Sequence, residues 1–383
     1  MCTVIARSFL LMTSVVFAGI SPTLAQENSS LKISSSLVYG GIEVGSKGVK
    51  MSLLELGRNP QNNGAFNILK DTSVNTDFIS FSAPTFQATL NGLSGLYSMA
   101  KDQYNIPSER IFTVVSSGVQ MQAEKDNKTS WVHNFIDSFR LKIKEPKRDV
   151  EVVDVKQEGR LSHLGIVPES KRYTTFLIDI GSGNTKGGYF PYGNTTDFKL
   201  FQLNWGTKSV ANATEKRCDE FDKTIANYNK QLYRVLEGAE QQDIIYAVNA
   251  SGAYRMTDYI AFSGGIAWAV ATLVNPDMAA STVVTVTYED VLRVSDDLAK
   301  NYASLLDAAL VKTIKDKSVN KEAVAREIKR VHSVFDQRSL MAGTGLLLKI
   351  MRQFKSIYET KQFYLVKNGQ VGWISAYVDA KNN

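Results

Sequence analysis

Two stretches of this chain set an acid immediately before a glycine turn: Ile178-Asp179-Ile180-Gly181-Ser182-Gly183-Asn184-Thr185 and, earlier, Ile42-Glu43-Val44-Gly45-Ser46-Lys47-Gly48. Glycine reaches positive φ without a Cβ penalty and lets the backbone approach a ligand, so successive N–H groups can point at a phosphate. A carboxylate at the strand end beside such a turn can hold a hydrated Mg2+ that bridges phosphate oxygens. Gly181, Ser182, Gly183, Asn184 and Thr185 are therefore candidate phosphate ligands, as are Gly45, Ser46 and Lys47, with Asp179 and Glu43 as candidate Mg2+ ligands. A single acid before a glycine turn also reads as an ordinary hairpin. The repetition is what points to chemistry: two such hairpins facing each other across a cleft would clamp one phosphate chain from both sides, with an acid from each half near the metal.

The elements that must position these residues follow from pattern. Thr175 to Ile178 is a β-branched and apolar run, and with the turn and the apolar residues up to Phe190 it reads as strand, turn, strand. Gly57 to Asn75 reads as a polar connection, and Pro84 to Tyr104 has helical apolar spacing at Leu90, Leu93, Leu96, Tyr97 and Ala100. Ile111 to Ser116 and Val150 to Val155 read as strands, the latter followed by a helix opening at Gln157-Glu158-Gly159. Leu203 to Ser209 turns from a strand towards a helix, and Glu215 to Gln241 is helical. Asp243 to Ala250 reads as a strand, and Tyr259 to Ala267 as a strand entering a helix through Ser263-Gly264-Gly265. Tyr288 to Phe354 is helical until Gly343 and Gly345 interrupt it; Gln362 to Val366 and Gly372 to Val378 read as a hairpin around Lys367-Asn368-Gly369.

The duplicated acid–glycine hairpin resembles the actin, sugar-kinase and heat-shock ATPase superfamily, and within it the exopolyphosphatase and guanosine-pentaphosphatase family. Glu43 to Gly48 is similar to that family's D-x-G-S-N-S hairpin and Asp179 to Lys186 to its D-I-G-G-G-S-T-E. Val150 to Gly165 resembles its I-S-G-x-E-E-A-R-L-x-x-x-G segment, and Arg338 to Leu348 its R-A-D-x-I-x-x-G-x-x-I-L helix start. The resemblance implies an α/β fold of two ribonuclease-H-like (actin-like ATPase) domains around a phosphate-binding cleft, with domains over 31–172 and 173–383. It implies Mg2+ as cofactor and polyphosphate or a nucleotide as substrate. It makes Glu158 the catalytic acid, a general base that orients and deprotonates a water for in-line attack; the competing reading is a solvated acid favoured in a first helical turn. Ser263, Gly264 and Gly265 resemble the superfamily's third nucleotide-contacting loop, where a helix N-terminus also favours an anion. Three positions depart from the family: Glu43 stands for an aspartate, Gln157 for the first of two glutamates, and Met121 for a phosphate-gripping arginine, whose part falls to Lys47 or Lys186. The function expected is a secreted, Mg2+-dependent phosphoanhydride hydrolase; the alternative is a nucleotide- or polyphosphate-binding or sensor protein that kept the clamp and lost turnover.

Composition is that of an ordinary globular protein: 44% hydrophobic and 21% charged residues in 383, with net charge +6. The basic residues are scattered, which suits an anionic ligand without marking a nucleic-acid surface. Met1 to Ala25 reads as a secretory signal peptide, with Arg7, an apolar core from Ser8 to Ile20 and a small-residue site at Thr23-Leu24-Ala25. Cleavage there removes Cys2 and leaves Cys218, so no internal disulfide is expected, in a periplasmic or secreted protein with no membrane span. His133, His163 and His332 lie far apart without the spacing of a zinc site. Oligomeric state is not legible.

Overall fold

The computed structural model describes residues 37–57, 66–355, 360–367 and 369–382. The signal-peptide reading of Met1 to Ala25 and the turn residue Asn368 lie outside them. In chain order the first half runs β1 (Leu37–Val44), β2 (Gly48–Leu56), β3 (Phe66–Asn75), α1 (Ala83–Ser98), β4 (Ile111–Val115), α2 (Ser117–Lys125), α3 (Thr129–Lys142), β5 (Glu151–Val152) and α4 (Val155–Ile166). The second runs β6 (Thr175–Ile180), β7 (Thr185–Tyr189), β8 (Lys199–Leu203), α5 (Thr207–Glu215), α6 (Ile225–Ala239), α7 (Ile245–Ser251), β9 (Tyr259–Ser263), α8 (Gly265–Val274), β10 (Val283–Val286), α9 (Tyr288–Lys300), α10 (Lys321–Val334), α11 (Gln337–Lys355), β11 (Gln362–Val366) and α12 (Gly369–Asn382).

Among the described residues these strands form two sheets of the same plan. The first has the order β3-β2-β1-β4-β5, with β1, β2 and β3 antiparallel and β4 and β5 parallel to β1. The second repeats it as β8-β7-β6-β9-β11 and adds β10 antiparallel at the edge. The repeat extends to register: Glu43 on β1 faces Lys50 on β2, and Asp179 on β6 faces Lys186 on β7. Strand β6 is buried along its whole length, as its continuous apolar run requires for a strand covered on both faces.

Each sheet has its own core. Ile42, Val49, Leu93, Phe135 and Phe139 pack α1 and α3 on the first; Phe176, Ile178, Ile266 and Leu347 pack α8 and α11 on the second. A further cluster of Tyr39, Leu54, Leu161, Phe190, Trp373 and Tyr377 brings α4 and α12 together over the first sheet. There a Cβ on Gly165 would lie 1.8 Å from the Gly372 carbonyl oxygen, so α4 and α12 touch backbone to backbone.

Four expectations from pattern are corrected. The stretch read as a polar connection contains β3, which pairs with β2 throughout; as an edge strand it tolerates polar residues on its open side. Asp243 to Ala250 is helical, a π-helical turn over Glu240–Ile244 followed by α7. Its buried residues Ile244 and Val248 are four apart while Ile245 and Tyr246 face solvent, which is helical spacing in a sequence rich in strand formers. Helix α11 runs through Gly343 and Gly345 without a break, because each glycine admits a neighbour: a Cβ would lie 2.6 Å from Ile266 at the first and 2.4 Å from Leu236 at the second. The segment after β11 is α12, not a second hairpin strand; it is buried all round from Val371 to Asp379, with Trp373, Ile374, Tyr377 and Val378 as its large apolar residues. No helix among the described residues is long and apolar enough to cross a membrane.

Candidate functional site

The two acid–glycine stretches are hairpins, as their residues demand. Gly45 N–H donates to the Gly48 carbonyl (2.9 Å), closing the turn between β1 and β2, and Gly181 N–H donates to the Asn184 carbonyl (3.0 Å), closing the turn between β6 and β7. The second turn is also held from behind by the start of α5: Thr207 N–H donates to the Gly181 carbonyl (3.0 Å) and Lys208 N–H to that of Ser182 (2.7 Å). Gly183, at the tip, faces open space. Thr185 points inward instead, its hydroxyl donating to the Trp205 carbonyl at 2.7 Å, so its side chain supports the hairpin.

The hairpins meet at the N-terminus of α2. A Cβ on Gly118 would lie 3.2 Å from Ser46 Oγ and 3.6 Å from Asn184 Oδ1, one atom from each hairpin. Asn184 Nδ2 donates to Met121 Sδ (3.4 Å) on the same helix. Beneath this junction lie the acids. Asp154 caps α4 by accepting from Gln157 N–H at 2.7 Å, which places Glu158 in the first turn. Glu158 is 2% exposed; its Oε2 accepts from Ser117 N–H (2.8 Å) and its Oε1 is 2.8 Å from Lys186 Nζ. Lys186 Nζ is also 3.2 Å from Asp179 Oδ2, while Asp179 Oδ1 accepts from the buried Ser263 hydroxyl at 2.9 Å. Gly264 follows at φ +93, a conformation that L side chains rarely adopt, and a Cβ there would lie 2.3 Å from the Ile180 carbonyl. That glycine lets the third loop press against the Asp179 strand end, and Gly265 then opens α8 against Phe335. Glu43 accepts from Trp373 Nε1–H (3.3 Å) across from α12. Burial raises the Glu43 carboxyl above its ordinary range against the pull of Lys50, with Glu158 and Asp179 adding to the rise. Burial opposes charge on Lys186, but attraction to Glu158 and Asp179 and the hydrogen bond to Glu158 hold its ammonium well above the usual lysine range.

Glu43, Glu158, Asp179 and the two turns thus converge, as does Ser263-Gly264. Lys186 was legible only as a substitute phosphate grip and is instead the ion-pair centre of the acids. The signal for this lay in the last position of the D-I-G-G-G-S-T-E stretch, where this chain has lysine. Ser117 and Trp373 were missed, because backbone amides and distant aromatic residues carry no local motif.

Above the acids, the mouth of the junction is cationic. Lys47, exposed at the tip of the first hairpin, and Lys208, in the first turn of α5, stand near enough for the charge of Lys208 to act on the Lys47 amine. Lys208 also pairs with Asp77 at 2.8 Å. Partial burial, the contact with Lys208 and its charge push the Lys47 amine down to about 8, against the opposite pull of Asp77 and Asp336. Among the groups that oppose this shift, the Asp77 carboxylate is itself the anion that Lys208 holds.

Mg2+ does not fit between Asp179 and Glu43 with these residues. The Lys186 ammonium already contacts Asp179 and Glu158, the second Asp179 oxygen is taken by Ser263, and one Glu43 oxygen by Trp373. A doubly charged ion about 4 Å from that ammonium would be repelled by about 8 kcal/mol even at an effective dielectric constant of about 20.

No protein-family model matches the chain, and no curated protein matches it in sequence. Solved structures match its fold. The Ppx/GppA family member of Aquifex aeolicus superposes with a TM-score of 0.58 at 18% identity, over 91% of this chain and 99% of that one. An exopolyphosphatase from Cytophaga hutchinsonii ATCC 33406 superposes with a TM-score of 0.55 at 15% identity, over 90% of this chain and 98% of that one. An exopolyphosphatase-like protein superposes with a TM-score of 0.55 at 14% identity, over 88% and 98%. The fold is therefore the α/β, two-sheet architecture of the Ppx/GppA structures.

Proposed function

We propose that this chain binds the phosphate chain of polyphosphate or of a nucleotide between its two hairpins, and that hydrolysis there is slow or lost. The observation that carries the reading is the convergence of two glycine turns, one from each sheet, with Lys47 at the tip of the first and Lys208 in the helix start that holds the second. A terminal phosphate would relieve the repulsion of the two amines and accept from N–H groups of the turns, which takes over the part of the arginine replaced by Met121. The loss of turnover rests on Glu158. A general base needs a free oxygen at the attacking water. Here Oε2 accepts from Ser117 N–H and Oε1 from Lys186, so both oxygens are already engaged where an attacking water would need one of them.

The second reading is the phosphoanhydride hydrolase, with Glu158 activating water. It is favoured by the place of Glu158 directly beneath both hairpins, and it requires the Lys186 contact to open when substrate binds. Export to the periplasm or beyond belongs to either reading and rests on the Met1 to Ala25 pattern; N-terminal sequencing of the protein recovered outside the cytoplasm tests it.

Calorimetric titration of the purified chain with tripolyphosphate, ATP and GTP, beside an assay of phosphate release, separates the readings. Binding without release supports the proposal, and Lys47→Gln or Lys208→Gln should each weaken it about 10-fold, the worth of one charge-assisted hydrogen bond. Release abolished by Glu158→Gln at unchanged affinity would establish the hydrolase. Absence of binding to all three ligands would overturn both.

A further inference from the structure

The floor of the junction carries a cation of its own. Lys186 faces Asp179 across the β6–β7 hairpin, and its amine lies 2.8 Å from Glu158 and 3.2 Å from Asp179. The three side chains are 7%, 2% and 12% exposed, so this is a built ion-pair centre and not a surface contact. Glu158 arrives on α4 from the first half of the chain and Asp179 on β6 from the second, so one ammonium joins acids from both halves. A bridging divalent ion would do the same: it would neutralise facing carboxylates and keep positive charge under the phosphates. Glu158 and Asp179 take two of the three N–H donors of an ammonium, which leaves the third for another acceptor. The position is also close under the turn, since a Cβ on Gly181 would lie 3.8 Å from Lys186 Nζ.

We propose that Lys186 is the resident cation of this site, and that the chain in consequence selects the metal-free form of a phosphate chain over its Mg2+ complex. This rests on the reading of the junction as a phosphate-chain site. A ligand arriving with Mg2+ brings positive charge towards three amines, those of Lys186 below and of Lys47 and Lys208 at the mouth. The free polyanion brings only the charge these amines attract. The carboxylates that would ligate the ion are already engaged, so the complex gains nothing in return for the repulsion.

The test is titration of the wild-type chain with tripolyphosphate in EDTA and again in excess MgCl2, at matched ionic strength. The expected result is binding in EDTA that weakens at least about 5-fold with MgCl2, a modest value for like charges near a protein surface. Binding that needs Mg2+, or that tightens with it, overturns the inference while the phosphate site stands. Absence of binding in both arms instead removes the phosphate site on which it rests. A second measurement needs no phosphate ligand: titration with Mn2+ followed by electron paramagnetic resonance. Wild type should show no tight site, whereas Lys186→Glu, which exchanges the ammonium for a third carboxylate, should gain one. A tight Mn2+ site in wild type that competes with Mg2+ and is lost in Asp179→Asn would overturn the assignment of Lys186.

Discussion

At the scale of single residues, Lys47 is the group whose charge answers most directly to a ligand. Its amine is pushed down to about 8 by partial burial and by Lys208, with Asp77 and Asp336 pulling the other way. A bound phosphate adds negative charge beside it and raises that value. The sign follows: above pH about 8 the free amine is largely neutral and the liganded one still protonated, so binding takes up a proton and affinity falls as pH rises. Tripolyphosphate titrations near pH 8.5, in two buffers of different ionisation enthalpy, should give heats that differ by this uptake. Equal heats would mean that Lys47 does not meet the ligand. Lys186, by contrast, stays charged throughout this range because two carboxylates hold its proton.

At the scale of elements, α4 is the one on which the acid site depends. It carries Glu158 at its first turn and His163 towards its end, and it is wedged against α12 where Gly165 meets Gly372. In Gly165→Ala the new Cβ would lie 1.8 Å from the Gly372 carbonyl oxygen, backbone that cannot turn aside. The helices must separate, at a cost of about 1–3 kcal/mol. Gly95→Ala on α1 is the contrast: its Cβ would meet open space, and the gain in helix propensity should stabilise by up to about 1 kcal/mol. Denaturant unfolding of both variants checks the pair, and equal effects would deny the close contact. His163 adds a pH dependence. Its Nε2–H donates to the Thr175 carbonyl at 2.9 Å, its ring lies edge-on to Phe190, and burial pushes it down to about 4 from the ordinary 6.5. The folded chain therefore refuses a proton that the unfolded chain accepts. Stability from this group is whole above pH about 6.5 and declines by about 3 kcal/mol as pH falls to about 4. The fall should be shallower in His163→Gln; an identical slope would assign it to other groups.

At the scale of the whole molecule, the Asp77–Lys208 pair links the segment after β3, in the first sheet, to α5, behind the second. Asp77 is held there by its N–H, which donates to the Lys47 carbonyl at 3.2 Å, so both hairpins connect to this strut. On the proposed reading, this carboxylate competes with an incoming phosphate for Lys208. Asp77→Asn should therefore tighten phosphate-chain binding, by about 3- to 10-fold at low salt, and the advantage should shrink as salt rises. Weaker binding in this variant would mean that the strut organises the site and does not compete for it.

Features that depend on local chemistry could be read directly from the chain. The acid–glycine hairpins, the strand running into a helix through Gly264-Gly265, and the Glu158 helix start were all legible, because turn glycines, caps and short apolar runs act on their neighbours in the chain. The duplicated hairpin was legible too, and the resemblance it carries implied two domains of one plan. Features that depend on long-range packing could not be read there. Strand β3 is a strand because β2 pairs with it; α7 is a helix whose buried side packs on partners remote in sequence, and α12 is enclosed on every side by such partners. Gly343 and Gly345 look like helix breakers until Ile266 and Leu236 are packed against them. The charge at the centre was decided the same way. Lys186 reads in the chain as one more basic residue near a turn, and it is the folding of α4 that sets Glu158 at 2.8 Å from it. A pattern of residue types can say that acids and glycines meet a phosphate; whether a metal ion or an ammonium sits among those acids is set by which side chains the fold brings within contact.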